Sequence, residues 1–207
     1  MSREISTVGV VGLGTMGAGI VEVFARGGLT VIGVESTQEY AERGRGILQA
    51  STDRAVARGK LDEAGQAEIL GRITITTEYA ELAPVDLVVE AVPEIMSLKH
   101  EVIGKLEDVL REDAIVATNT SSLSTTEIAA PAKVPGRIIG MHFFNPAPIL
   151  KLVEVITTPL QVKDGYLDLP KGPGWGIELD LDLCRQHPRI VAGTPTLHRP
   201  DGAICDW

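Results

Sequence analysis

The sequence contains little cysteine, with only Cys184 and Cys205 among its 207 residues. Two cysteines near one end of a chain do not form the disulfide framework of a small secreted domain, so we expect a protein of the reducing cytoplasm. The sequence also lacks a signal-peptide pattern and any apolar run near the ~20 residues that span a bilayer. No membrane partner is therefore expected.

Positive charge is scarce as well, because 19 lysines and arginines face 28 aspartates and glutamates and leave a net charge of −9. This balance argues against a protein that binds nucleic acid or an anionic membrane surface. It does not exclude small anionic ligands, because a single loop can bind a phosphate within an acidic protein.

Short β-branched segments alternate with helical patterns along most of the chain. The apolar run VDLVVEAV is the clearest buried strand, and the helix after it has an apolar face marked by Leu98, Val102, Leu106 and Val109. Strands that alternate with helices favour a parallel sheet, so we predict an α/β fold with a doubly wound, mainly parallel sheet. The predicted strands are 5–11, 30–34, 72–76, 85–92, 114–118 and 137–141, and the other predicted helices are 15–26, 38–71 and 124–130.

The segment GVVGLGTMG, residues 9–17, places three glycines in the pattern G-x-G-x-x-G between a predicted strand and a predicted helix. In this pattern Gly12 allows a tight turn, Gly14 lets the backbone approach a pyrophosphate, and Gly17 lets the helix pack closely on the strand. The helix N-terminus then offers unpaired N–H groups to the phosphates. We predict a dinucleotide-binding loop, with an ordinary glycine-rich turn as the structural alternative.

Glu35 supports a dinucleotide, because it ends the second predicted strand 21 residues after Gly14. A carboxylate there accepts hydrogen bonds from the adenosine ribose hydroxyls and repels a 2′-phosphate. No arginine follows it in Ser36-Thr37-Gln38. The pattern therefore favours NAD over NADP.

Other polar side chains follow strands at the sheet edge where ligands bind in open α/β sheets. Ser121 and Ser122 follow one strand, His142 follows another, and Glu94 follows a third, with Lys99 a little over one helical turn beyond it. The structural alternatives are a strand-end histidine, a helix cap and a solvated helix face. The grouping favours a site with hydroxyl, imidazole and carboxylate groups along one edge.

A histidine beside a carboxylate suits alcohol oxidation. Imidazole exchanges a proton near neutral pH, so it can take a hydroxyl proton while hydride leaves the carbon for a nicotinamide. A carboxylate on the other ring nitrogen fixes the tautomer and stabilises the imidazolium. His142 and Glu154 are candidates for this pair, although their spacing alone does not bring them together.

Four segments carry a family resemblance: GVVGLGTMGAGI, VVEAVPE, ATNTSSLSTTEIA and GMHFFNPAPILKLVEVI. Over about residues 7–160 the sequence resembles the NAD-binding domain of 3-hydroxyacyl-CoA dehydrogenases, including bacterial 3-hydroxybutyryl-CoA dehydrogenases. The resemblance implies a Rossmann-type fold, NAD as cofactor and an acyl-CoA substrate. It also implies oxidation of 3-hydroxyacyl-CoA to 3-oxoacyl-CoA, a reaction of fatty acid β-oxidation and butanoate metabolism.

The resemblance also implies roles for individual residues. His142 would be the general base toward the 3-hydroxyl, and Glu154 its carboxylate partner. Ser121 would hydrogen-bond the reacting oxygen, and Asn145 would lie beside the substrate. Cofactor contacts are implied for Glu35 at the adenosine ribose, for Glu94 and Lys99 at the nicotinamide half, and also for Asn119.

The sequence changes character near Thr158, and the segment 161–207 holds five of the twelve prolines and both tryptophans. We place a boundary at about residue 160, between an NAD-binding domain (1–160) and an atypical Pro/Gly-rich tail with one short candidate helix at 180–186. Glu178, Asp180 and Asp182 are expected to be solvated acids, so no metal site is predicted.

The tail departs from the family, whose members continue into a helical dimerisation domain that begins with a Thr-Pro-Gly-Phe stretch and holds an active-site asparagine. From about residue 164 the sequence instead resembles the C-terminal tail of enolase-superfamily, mandelate racemase-like sugar-acid dehydratases, without their catalytic residues. We expect a chimeric chain whose tail is loosely structured. A homo-oligomer is compatible with the resemblance although the family's dimerisation domain is absent.

Three functions therefore compete. The first is an NAD-dependent 3-hydroxyacyl-CoA dehydrogenase, carried by the four segments. The second is an NAD-binding module with little or no turnover, because part of the family's cleft is absent. The third is a sugar-acid dehydratase fragment, which rests on the tail alone.

Overall fold

The computed structural model describes residues 5–150, 152–156, 162–163 and 166–167. The chain divides into two compact units, Met1–Asp168 and Leu169–Trp207, and the described residues all belong to the first. The boundary expected near residue 160, the candidate helix at 180–186, the acidic residues of the tail and the tail's resemblance lie outside the described residues. They stay predictions.

One seven-stranded sheet organises the first unit, in the order β3-β2-β1-β4-β5-β6-β7. The first six strands are parallel, and β7 pairs antiparallel with β6, so the prediction of a mainly parallel, doubly wound Rossmann sheet is confirmed. The strands are β1 Thr7–Val11, β2 Thr30–Val34, β3 Ile73–Thr76, β4 Leu87–Glu90, β5 Ile115–Thr118, β6 Ile138–Phe143 and β7 Val153–Ile156. A separate two-stranded antiparallel pair consists of β8 Val162–Lys163 and β9 Tyr166–Leu167.

Five α-helices connect the parallel strands, and side chains cap several of them. The Asp62 carboxylate accepts the N–H of Gly65 at 2.7 Å, and the Ser124 hydroxyl accepts the N–H of Glu127 at 3.3 Å. The helices are α1 Thr15–Arg26, α2 Gln38–Ala57, α3 Glu63–Gly71, α4 Met96–Val109 and α5 Thr125–Ala129, with short 3₁₀ helices at Tyr79–Leu82 and Pro135–Arg137. Among the described residues, no helix has the length and apolarity needed to cross a membrane. A cytoplasmic location stays a prediction.

The core lies on both faces of the sheet, because successive side chains of a strand point to opposite sides. Leu87 and Val89 pack with α1, α2 and α3, whereas Val88 packs with α4 and α5. Strands covered on both faces are nearly all apolar, which explains the β-branched runs in the sequence. All six parallel strands end at the same edge, and this edge carries the polar residues predicted for a site.

Candidate active site

The glycine loop between β1 and α1 has the geometry that the three glycines predict. Gly12 has a φ of 87°, which favours glycine, and its N–H donates to the Val34 carbonyl at 2.9 Å. A Cβ on Gly17 would collide with the carbonyl oxygen of Gly12. A Cβ on Gly14, the N-cap of α1, would meet no described atom within 4 Å, so the space before the helix N-terminus is open. This arrangement fits a pyrophosphate approached by backbone N–H groups.

Glu35 lies beside this loop, at the end of β2. One carboxylate oxygen accepts the N–H of Leu13 at 2.6 Å, and the other accepts the N–H of Ser36 at 3.0 Å. These two bonds fix the carboxylate at the cleft, where it retains acceptor sites for ribose hydroxyls.

A cleft of about 1140 Å³ runs along the edge of the sheet. This volume exceeds the roughly 300–1,000 Å³ of ordinary small-molecule pockets, so it fits an extended ligand. The glycine loop and Glu35 line one end. The predicted site residues that line the rest are Glu94, Asn119, Ser121, His142 and Asn145.

His142 and Glu154 meet across the antiparallel pair of β6 and β7, whose register places them opposite each other. The Nδ1 atom of His142 lies 2.9 Å from a carboxylate oxygen of Glu154. The His142 ring also packs on Phe144, with ring centroids 4.6 Å apart. When Nδ1 donates to the carboxylate, the neutral ring presents Nε2 as an acceptor.

Glu94 holds the loop that carries Ser121. One Glu94 oxygen accepts the Ser121 N–H at 2.8 Å and lies 3.5 Å from its hydroxyl, and the other accepts the Thr120 hydroxyl at 3.0 Å. These bonds join the chain after β4 to the chain after β5. Asn119 joins β5 to β6, because its side-chain oxygen accepts the N–H of Phe143 at 3.0 Å.

The family model for the 3-hydroxyacyl-CoA dehydrogenase NAD-binding domain matches residues 7–164 of this sequence. The chain belongs to this family. Its cofactor is NAD, and the recognition drawn from the four sequence segments is confirmed over the matched region.

Individual members of the 3-hydroxyacyl-CoA dehydrogenase family show the same match. A 3-hydroxybutyryl-CoA dehydrogenase of Clostridioides difficile is 46% identical over 154 residues, which are 74% of this chain and 55% of the relative. One of Mycobacterium tuberculosis is 43% identical over 159 residues, 76% of this chain and 56% of the relative. The crystal structure of (S)-3-hydroxybutyryl-CoA dehydrogenase from Ralstonia eutropha superposes with a TM-score of 0.72 at 40% identity, covering 75% of this chain and 56% of that one. The chain thus spans about half the length of the relatives it matches.

Lys99 lies deeper than the predicted residues that line the cleft. Its side chain is 0% exposed and lies behind the wall of the cleft, where the ammonium is 2.9 Å from each carboxylate oxygen of Glu90. A direct contact between Lys99 and NAD stays a prediction. Sequence reasoning missed Glu90, although a single acid inside the apolar run VVEAV signals a buried, paired carboxylate.

The glycine-loop end of the cleft contains further residues that the sequence did not single out, among them Tyr79 and Lys105. Burial raises the pKa of the Tyr79 phenol, and the Lys105 ammonium, 5.6 Å from the ring centre, opposes part of that rise. A hydrogen bond to Glu101 raises the pKa of Lys105. This end of the cleft therefore combines a neutral phenol with a persistent cation.

Proposed function

We propose that this protein is an NAD-dependent 3-hydroxyacyl-CoA dehydrogenase that oxidises 3-hydroxyacyl-CoA to 3-oxoacyl-CoA. The observation that carries the proposal is that His142, 2.9 Å from Glu154, lines the same cleft as the glycine loop. A dinucleotide site with an oriented imidazole suits alcohol oxidation.

In this proposal His142 is the general base. Its Nε2 takes the proton of the 3-hydroxyl, and Glu154 holds the tautomer and stabilises the imidazolium. The carbon–hydrogen bond would break as the carbonyl forms, and bound NAD would supply the acceptor for that hydrogen and its two bonding electrons as hydride. Ser121 donates to the reacting oxygen, and Asn145 lies beside the acyl group.

The remaining residues bind the cofactor. The α1 N-terminus, with Gly12, Gly14 and Gly17 before and within it, would hold the pyrophosphate, and Glu35 would accept hydrogen bonds from the adenosine ribose. Glu94 and Asn119 line the cleft where the nicotinamide half would lie, with Lys99 behind them. Acyl-CoA is the proposed substrate, and the homo-oligomer compatible with the family stays a prediction.

The test measures NADH oxidation in the presence of acetoacetyl-CoA. We expect turnover by the natural chain and a roughly 10²- to 10⁴-fold lower kcat for His142→Gln, the usual contribution of a general base. The matched control is His100→Gln, because His100 lies on α4 and bonds the Glu127 carbonyl away from the cleft. Equal rates for the natural chain and His142→Gln would contradict the role of His142.

A second function is an NAD-binding module with little or no turnover. The observation that favours it is that the chain spans about half the length of its relatives. Calorimetry that shows NADH binding, together with no oxidation of NADH by acetoacetyl-CoA at high protein concentration, would support this second function over the first.

A further inference from the structure

Two fully buried charges lie behind the cleft, Glu90 at the end of β4 and Lys99 in the first turn of α4. Both side chains are 0% exposed, and the ammonium lies 2.9 Å from each carboxylate oxygen. A buried ion pair is commonly no more stabilising than apolar residues of the same volume. Stability therefore gives little reason for this pair, and its other contacts point to a different role.

The Glu90 carboxylate has a second donor on each oxygen. One oxygen accepts the N–H of Val92 at 2.7 Å, and the other accepts the Thr118 hydroxyl at 2.7 Å. Four hydrogen bonds leave the carboxylate little freedom to move. Glu90 thereby fixes Lys99 relative to the ends of β4 and β5.

Lys99 extends this network to the cleft. Its ammonium is 3.3 Å from the backbone carbonyl of Asn119 and 3.7 Å from a carboxylate oxygen of Glu94. Glu94 faces the cleft with 38% of its side chain exposed and holds the N–H of Ser121. The buried cation thus restrains the carboxylate that positions the Ser121 loop.

We propose that Glu90 and Lys99 are positioning residues that hold Glu94 and Ser121 in the arrangement that receives the nicotinamide half of NAD. The inference rests on the proposed function for the assignment of that half to this end of the cleft. Glu35 and the glycine loop are held by separate backbone bonds. The pair therefore acts on one half of the cleft.

Two ligands distinguish the nicotinamide from the rest of the cofactor, because ADP-ribose carries the adenosine, the pyrophosphate and the second ribose and lacks only the nicotinamide. In the double variant Glu90→Gln/Lys99→Met both charges disappear together, so no unpaired charge remains buried. We expect calorimetry to show an ADP-ribose Kd within about twofold of the natural chain and a roughly tenfold weaker NADH Kd, about 1.4 kcal/mol. An equal effect on both ligands, or none on either, would overturn the positioning role.

A matched control is Glu22→Gln/Arg26→Met on α1, where Glu22 is 1% exposed and pairs with Arg26 at 2.6 Å. Both ligands should bind this variant as they bind the natural chain. Thr118→Val serves if the double variant does not fold, since it removes one bond to Glu90 and retains both charges. It should weaken NADH selectively by roughly threefold, the effect of one lost hydrogen bond.

The binding contrast separates this inference from the proposed activity. If the contrast is present and acetoacetyl-CoA is not reduced, the proposed function fails and the positioning role stands. If the natural chain binds NADH no more tightly than ADP-ribose, the positioning role fails, because the pair would then order nothing that contacts the nicotinamide.

Discussion

The two ends of the cleft are held in different ways. At the loop end, formed by the glycine loop and Glu35, the backbone supplies the contacts: Glu35 accepts the N–H groups of Leu13 and Ser36. At the histidine end, formed by Glu94, Ser121, His142 and Glu154, side chains hold other side chains, as His142 and Glu154 do at 2.9 Å.

The two ends also differ in burial. β1 leads to the loop end, and its residues Val10 and Val11 are 0% and 3% exposed. β7 carries Glu154 of the histidine end, and all four β7 residues are exposed, Val155 by 58%. The loop end is therefore tied to the core, whereas Glu154 of the histidine end lies on an exposed edge strand. Single substitutions should affect cofactor affinity at the loop end, and reaction rate at His142 and Glu154 of the histidine end.

The largest expected effect on cofactor binding is at the loop end. Gly17→Ala places a Cβ against the carbonyl of Gly12, and the backbone shift that follows should weaken NADH and ADP-ribose binding by roughly 100-fold, about 2.7 kcal/mol. Calorimetry measures both ligands. Gly46→Ala on α2 is the control, since its Cβ meets no described atom within 4 Å. Affinity unchanged by Gly17→Ala would mean that this end tolerates a change in its backbone.

At the histidine end, Glu154→Gln should lower kcat with acetoacetyl-CoA by roughly 30-fold and leave the NADH Kd unchanged, because it removes one charge-assisted hydrogen bond. The loss should be smaller than for His142→Gln, because the amide oxygen still accepts from Nδ1. Glu68→Gln, which changes an acid of similar exposure on α3, should have no effect on either value. A matching loss of NADH affinity would show that the two ends are not independent.

Glu35→Gln probes cofactor choice at the loop end. The amide lacks the negative charge that repels a 2′-phosphate, so the ratio of NADPH Kd to NADH Kd should fall by roughly tenfold. Direct titration of both cofactors measures the ratio. Glu39→Gln, on the first turn of α2, is the control for a change in net charge. A constant ratio would assign cofactor selection to another group.

The smallest expected effect is a shift in the titration of Tyr79 at the loop end. Burial raises the pKa of Tyr79 above the usual value of about 10, so its phenolate should appear later than those of the other tyrosines in an absorbance titration. Tyr79→Phe identifies its share of the signal. Since the unfolded chain loses this proton first, the free energy of unfolding should decrease as pH rises past about 10. Ionisation of Tyr79 at the same pH as the other tyrosines would show that the loop end is as exposed to solvent as the histidine end.

The loop end could be predicted from the sequence because its signals are local. G-x-G-x-x-G constrains the backbone directly, and Glu35 follows at the spacing that a strand–helix–strand unit sets. The sheet itself was predictable from β-branched runs, although the strand expected at 85–92 is shorter, Leu87–Glu90. The chain leaves the sheet there because the Val92 N–H donates a hydrogen bond to the Glu90 carboxylate.

The histidine end could not be predicted from local sequence signals alone. The sequence does not show that residues 153–156 form an antiparallel strand, and that strand sets the register which brings Glu154 to His142. The pairing of His142 with Glu154 was predicted from the family resemblance and not from the spacing of the two residues. The pairing of Glu90 with Lys99 could not be predicted from the sequence for a similar reason. Their partners come from three elements, and no spacing rule relates those partners.

Glu154 lies only 12 residues from His142 along the chain, whereas Glu94 and Ser121 are 27 apart and Glu90 and Thr118 are 28 apart. Closing a short loop loses less chain entropy than closing a long one. We expect the β6–β7 hairpin to form before the contacts around Glu90 as the chain folds. The His142–Glu154 pair would then be assembled early, and the last contacts to form would be those that shape the cleft around it.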